Sequence, residues 1–238
     1  MSRPIKGYEN DPDNELLMHL DEYEGDDGYC EVSQNNRGHF PGVPIITGKI
    51  RNARHFDNTN GYLDAVSVTV PHGNDLSVEA FIRPMVNNPK GSIINVVNGP
   101  FSSGHIVYSL TVNIAGAFSY PTFIVKTNIG DYLVIATTPI LQNVWYHLAG
   151  TYNHATGAIK IYINGTLNNQ HIYAPSFIDG SPDSIGLIAR SPGAFPYTYF
   201  RGDIDEIRVS VIERTSFVFP YWQNTPEVSD ESDQAYYV

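Results

Sequence analysis

Hydrophobic and polar positions alternate along most of this chain. In LSVEAFIR (76–83), Leu76, Val78, Ala80 and Ile82 interleave with Ser77, Glu79, Phe81 and Arg83. That period of two predicts a half-buried strand. The same signal predicts strands over 62–70, 92–97, 104–114, 122–127 and 131–137. VWYHLAGTYNHATGAIKIYINGTL (144–167) alternates, reaches Asn164-Gly165 and returns through 166–172. Asn-Gly accepts positive φ at both central positions, so a two-residue type I′ hairpin is expected there. Strands are also predicted over 16–20 (LLMHL), 183–190 and 199–212. Residues 33–48, rich in Asn, Gly and Pro, read as a long loop. FVFPYWQ (217–223) carries a Pro within an apolar run and reads as an edge strand or docked tail. Many short strands separated by turn signals predict an all-β, two-sheet antiparallel sandwich or jelly roll. The expected organisation is an N-terminal arm (1–14), one domain (15–225) and a C-terminal tail (226–238).

Composition agrees with strands and turns: the 238 residues include 16 Tyr, 20 Gly and 16 Pro, and only 16% are charged. Charge adds an asymmetry. Residues 1–31 hold ten acidic side chains against Arg3 and Lys6, and Glu227, Asp230, Glu231 and Asp233 crowd the other end. The two ends therefore carry −8 and −4 of a net charge of −11, and the body between them is close to neutral at +1. Acidic ends read as solvated or partner-facing segments. They oppose a nucleic-acid groove, which needs clustered Lys and Arg. Cys30 is the sole cysteine, so no intrachain disulfide forms, and the expectation is a buried thiol. The first residues are too polar for a secretory signal, and no run reaches membrane-spanning length, so no membrane insertion is expected.

Four stretches, in order, resemble the laminin G-like, concanavalin A-like jelly-roll family of lectins and glucanases. They are GKIRNARHFDNTNGYLDA (48–65), LSVEAFIRP (76–84), the hairpin NVWYHLAGTYNHATGAIKIYINGTL (143–167) and YFRGDIDEIRVS (199–210). The resemblance spans roughly 15–212 and implies two antiparallel sheets, one convex and one concave. Asn58, where the family commonly has Gly, the long acidic loop over 21–48 and the tail after 212 depart from its pattern. The fold alone does not fix function, because this architecture hosts lectins, adhesion modules, spacers and hydrolases.

The resemblance implies a calcium position between Asp57 and Asp205, with Asn60 able to add an amide oxygen; hard oxygens of this kind suit Ca²⁺. The alternative is that Asp57 caps its turn and Asp205 bonds loop amides. Glycosidase chemistry needs two carboxylates on one face, about 5–5.5 Å apart for a retaining enzyme. Asp203-Ile-Asp205 imitates part of the family's catalytic strand, but Arg208 occupies the place of the third acid. Strict alternation turns Glu206 to the opposite face. No other catalytic motif is present, so no catalytic residue is assigned. Phe195, Tyr197 and Tyr199, in a loop dense in rings and prolines, together with Tyr120 and Tyr173, are the candidate ligand- or partner-binding aromatics. Each has the alternative of folding back onto the sandwich. Trp145 is expected to be buried in the core, and His55 and His147 to pack on a sheet. Arg201-Gly202-Asp203 and the Asn164-Gly165-Thr166 sequon read as chance and as a turn.

The function expected from the sequence is a non-catalytic structural or adhesive module of a larger assembly. A bacteriophage virion surface component, such as a capsid decoration, tail or fibre protein made in the host cytoplasm, meets these features together. The alternatives are an extracellular carbohydrate-binding lectin-like module and, more remotely, a glycoside hydrolase. Expected partners are other subunits, a second copy of the chain and a cell-surface glycan.

Overall fold

The computed structural model describes residues 7–22, 25, 27–32, 37–57, 66–67, 75–86, 90–98, 105–180, 184–190 and 199–217. Sixteen strands run through them. In chain order they are β1 (Asn14–Met18), β2 (Asp27–Tyr29), β3 (Arg37–His39), β4 (Ile45–Thr47), β5 (Asn52–Phe56) and β6 (Val66–Ser67). Then come β7 (Leu76–Pro84), β8 (Gly91–Asn98), β9 (His105–Ala115), β10 (Phe118–Thr127) and β11 (Gly130–Ile135). The last are β12 (Tyr146–Asn153), β13 (Ala158–Ile163), β14 (Thr166–Ile172), β15 (Ile185–Ile188) and β16 (Gly202–Ser210).

They form two antiparallel sheets, as an all-β jelly-roll sandwich requires. The first has the order β14-β13-β12-β7-β16-β5-β4, with β1 also paired to β16; the second is β11-β10-β9-β8-β15-β6. A separate ribbon pairs β2 with β3. The strongly alternating segments form where the pattern predicts them. Asn164 (φ 52°) and Gly165 (φ 73°) make the expected left-handed turn. The stretch read as a loop over 33–48 instead contains β3 and β4. These strands are three residues long, too short to show a period, and exist because β2 and β5 pair with them.

The inward residues meet in one core. Val78, Ala80 and Ile82 of β7, Leu148 and Tyr152 of β12, and Ile204, Ile207 and Val209 of β16 face Ile94, Leu110, Phe123 and Val125 of the second sheet. At Gly150 the sheets approach so closely that a Cβ would lie 2.1 Å from a Phe123 ring atom. Along one side, the edge strand β11 is stitched to the β14 edge and the chain that follows it. The Tyr173 hydroxyl donates to the carbonyl of Leu133 at 3.1 Å, and Asn169 Nδ2 donates to that of Ile135 at 2.8 Å.

The acidic N-terminal region is tied into this body. Tyr8 is 7% exposed, and β1 pairs with the far end of β16. Arg54, with a fully buried side chain, donates to the carbonyls of Gly25, Val43 and Asp27 and approaches the Glu22 carboxylate at 3.4 Å. One buried guanidinium thus gathers the acidic loop around itself, an arrangement suited to its fixed fork of donors.

Candidate functional site: the two outer faces

Each sheet has an outer face, and most of the described candidate residues fall on one or the other. The outer face of the first sheet collects alternate residues of β7, β12 and β16. Glu79, fully buried, lies at the middle. Its Oε1 accepts from Arg208 (Nε 2.8 Å, Nη2 2.7 Å), and its Oε2 accepts from His147 Nε2 at 3.0 Å. Burial alone would raise its pKa, but the His147 hydrogen bond and the Arg208 charge outweigh it and hold the carboxyl low. His147, also buried, is pushed below its usual value, so it donates as a neutral ring. Tyr8 lies over this group, with Arg208 4.0 Å from its ring centre and Phe81 stacked at 6.0 Å. Phe217 covers the other side, 5.2 Å from His147 and 4.9 Å from Tyr162.

Further along β16 the register against β7 slips by one residue between Asp205 and Arg208. This β-bulge has Glu206 at φ 50°, a left-handed conformation uncommon outside glycine. It overturns the sequence expectation for Glu206: the extra residue breaks strict alternation and brings this side chain onto the same outer face as Asp203 and Asp205. There its carboxylate accepts the Tyr8 amide (2.8 Å) and holds His19 Nδ1 at 2.8 Å, while His19 Nε2 meets Glu31 at 3.0 Å. Burial lowers the pKa of His19, but the two glutamates overcome it and raise it to about 9.

Asp205 Oδ2 accepts the amides of Lys49 (2.8 Å) and Ile50 (2.9 Å). Burial first, and then the neighbouring Glu206, push its carboxyl well above the usual range. Asp57 is exposed just past β5. Because Phe56 pairs with Gly202, Asp57 and Asp205 stand roughly 13 Å apart along the strands at about 3.3 Å per residue. Asn60 lies outside the described residues, among which no group of three or more His, Cys, Asp or Glu could hold a metal.

Trp145 also differs from expectation. It is half-buried on the outer side of the first sheet, against the cluster of Tyr8, Leu17, Ile50 and Phe81, rather than in the sandwich core. It immediately precedes β12, and alternation from the inward Leu148 sends it outward with His147. Asn164 accepts the His147 amide at 3.0 Å, so the sequon asparagine serves its own hairpin.

The outer face of the second sheet is of another kind. Its middle is a floor of short polar side chains, with Asn95, Ser109, Thr111 and Thr122 all buried. Ser109 opposes Ile124, which opposes Leu133; Thr111 opposes Thr122, which opposes Ile135. Leu133 and Ile135 are exposed, so the floor has an apolar margin. Asn95 Nδ2 donates to the Arg190 carbonyl, while its buried Oδ1 has no hydrogen-bond partner among the described residues. Tyr120, half-buried, is opposite Asn113 at the end of this floor. Tyr199 bridges Ser92 and Arg190 at its border. Tyr173 instead stacks on Tyr132 with ring centres 4.2 Å apart. Phe195 and Tyr197 lie outside the described residues. Glu79, His19 and Arg83 escaped the sequence reading. Their signal is the outward phase of their strands, which alternation alone shows without naming the partners.

Comparison with known proteins agrees with this architecture. The family described as the concanavalin A-like lectin/glucanases superfamily, laminin G type, matches residues 57–216. No curated protein sequence matches the chain. Among solved structures, domain 4 of an extracellular arabinanase of Geobacillus stearothermophilus, in complex with arabinotriose, is similar at TM-score 0.55 and 15% identity, covering 84% of this chain and 93% of that one. A heptameric SAP-like pentraxin of Limulus polyphemus is similar at 0.52 and 15% identity, covering 68% and 76%. The enzymatically active domain of tailspike protein 2 of bacteriophage CBA120 is similar at 0.52 and 15% identity, covering 77% of this chain and 28% of that one. At such identities these likenesses speak for the fold alone, whereas the family match covers most of the chain: the protein belongs to the concanavalin A-like lectin/glucanase superfamily.

Proposed function

We propose that this chain is a non-catalytic recognition module that binds carbohydrate and works as one part of a larger assembly. The observation that carries the non-catalytic reading is the state of the acids on the first sheet's outer face. Glu79, Asp203 and Asp205 are 0% exposed and Glu206 is 1% exposed. Each is engaged by His147 and Arg208, His55 and Arg83, backbone amides, or His19. Glycoside hydrolysis needs one acid able to give a proton and a second carboxylate facing the sugar. Here the acids hold the protein together instead. Support for carbohydrate comes from the second face, where the half-buried Tyr120 and Tyr199 and the exposed margin of Leu133 and Ile135 offer ring and apolar surface for a sugar.

A structural role on a virion surface is the second reading. It is favoured by Tyr8 and Phe217 meeting at His147, which puts both ends of the described chain on the first sheet's outer face, away from the second sheet. A glycan array with and without calcium, run beside a mass measurement in solution, tests both. Selective binding by the monomer supports carbohydrate recognition. No binding by any glycan together with a stable oligomer overturns it in favour of assembly. Loss of any measured hydrolysis on Asp203→Asn or Asp205→Asn would overturn the non-catalytic reading.

A further inference from the structure

At one end of the first sheet's outer face, four side chains from adjacent strands form a row: Trp145, Arg83, Asp203 and His55. Register sets it, since Asp203 of β16 pairs with Arg83 of β7 on one side and with His55 of β5 on the other. Asp203 is fully buried, with Oδ1 2.6 Å from His55 Nδ1 and Oδ2 2.6 Å from Arg83 Nε. The side chains it holds reach solvent, 29% exposed for His55 and 30% for Arg83. The Arg83 guanidinium lies 5.1 Å from the Trp145 ring centre.

The donor and acceptor roles follow from the buried acid. A carboxylate only accepts, so His55 presents Nδ1–H to Asp203, and in the neutral tautomer with that proton Nε2 is the acceptor. Arg83 gives Nε to the same carboxylate. Its Nη1 and Nη2 have no partner among the described residues. The contrast with Arg54 is direct: that guanidinium is fully buried and gives its terminal nitrogens to carbonyls of its own chain. Arg83 is fixed as firmly at Nε, yet its two-nitrogen end is left at the surface beside an acceptor and an indole.

We propose that this row is a binding site for a hexuronate unit of an acidic glycan. The carboxylate is taken end-on by Arg83 Nη1 and Nη2, a ring hydroxyl donates to His55 Nε2, and the apolar face of the sugar lies toward Trp145. Asp203 is a positioning residue that sets the tautomer of His55 and the rotamer of Arg83. The assignment rests on the reading of the chain as a glycan-recognition module, and it places the acidic-sugar site on the face opposite the polar floor.

Trp145 supplies the readout. The chain has two tryptophans, so Trp222→Phe leaves Trp145 as the sole indole. An oligogalacturonate should change its fluorescence saturably. The same oligosaccharide with its carboxyls reduced, and acetate as a bare carboxylate, should each bind at least tenfold more weakly. Arg83→Gln should weaken the oligogalacturonate at least tenfold. Should that variant unfold, Arg83→Lys keeps a charge beside Asp203 but lacks the planar fork, and it should lose affinity as well. Undiminished binding by a folded Arg83 variant overturns the site. Equal binding of acetate or of the reduced oligosaccharide overturns the hexuronate assignment. No response to oligogalacturonate, while other glycans bind on the array, overturns this site alone; no binding by any glycan overturns the module reading beneath it.

Discussion

The two outer faces of this sandwich are built from strands of the same kind and have opposite electrostatic characters. On the first, charges are buried and satisfied one by one by Arg208, His147, Arg83, His55 and His19, and Tyr8 and Phe217 close over them. On the second, the buried polar groups are neutral and short, and the large side chains at the margin stay exposed. Isolated buried charge is costly, so a face that keeps it must supply partners, and those partners become structural. A floor of Ser, Thr and Asn carries a smaller desolvation cost, and backbone carbonyls of the same chain are enough to satisfy it: Thr111 donates to Gly91, Thr122 to Tyr120 and Asn95 to Arg190. The first face therefore spends most of its chemistry on stability, with the Arg83 row as its open end, and the second keeps an exposed apolar margin at Leu133 and Ile135.

Substitutions rank this difference. Gly150→Val, which drives a side chain into Phe123 between the sheets, is expected to harm both faces alike. Overpacking of this kind costs about 1–3 kcal/mol or more, and a chain that does not fold is the expected extreme, read by loss of soluble monomer. Glu79→Ala acts on the first face only. Removing one partner of a buried charged group costs about 3–5 kcal/mol, visible as a fall in the denaturant midpoint without a change in slope. A Glu79→Ala protein as stable as the parent would erase the contrast between the faces.

The pH dependence is a sharper probe of the same face. His19 has its pKa raised from 6.5 to about 9 in the folded protein. Its contribution is present in full below about pH 6.5, declines as the pH rises, and is gone above about 9. The loss is on the order of 3 kcal/mol at about 1.4 kcal/mol per unit. It should appear in the difference between the parent and His19→Gln, which has no group titrating there, with protection of the Tyr8 amide in the parent falling in parallel. The smallest effect on stability is expected on the second face: Tyr120→Ala should cost under about 1 kcal/mol and still reduce glycan binding.

How far the sequence could be read follows the same division. Alternation is local, so β7, β12, β13 and the Asn164-Gly165 turn were legible, and the ordered family motifs identified the sandwich. Pairings that depend on distant partners were not. Three-residue β4 is a strand because β5 lies beside it, and Glu206 changes face because one residue too many separates Asp205 from Arg208 in register with β7. Trp145 shows a different limit: a motif suggested burial, and only the phase of β12 showed on which side. The partners of Asp203 were invisible for the plain reason that His55, Arg83 and Asp203 lie on three strands far apart in the chain.

The stitching of β11 by Tyr173 and Asn169 has a consequence for crowding. An uncapped β edge is a template on which further chains can add. With the carbonyls of Leu133 and Ile135 already engaged, a neighbouring chain has less to zip onto along that flank.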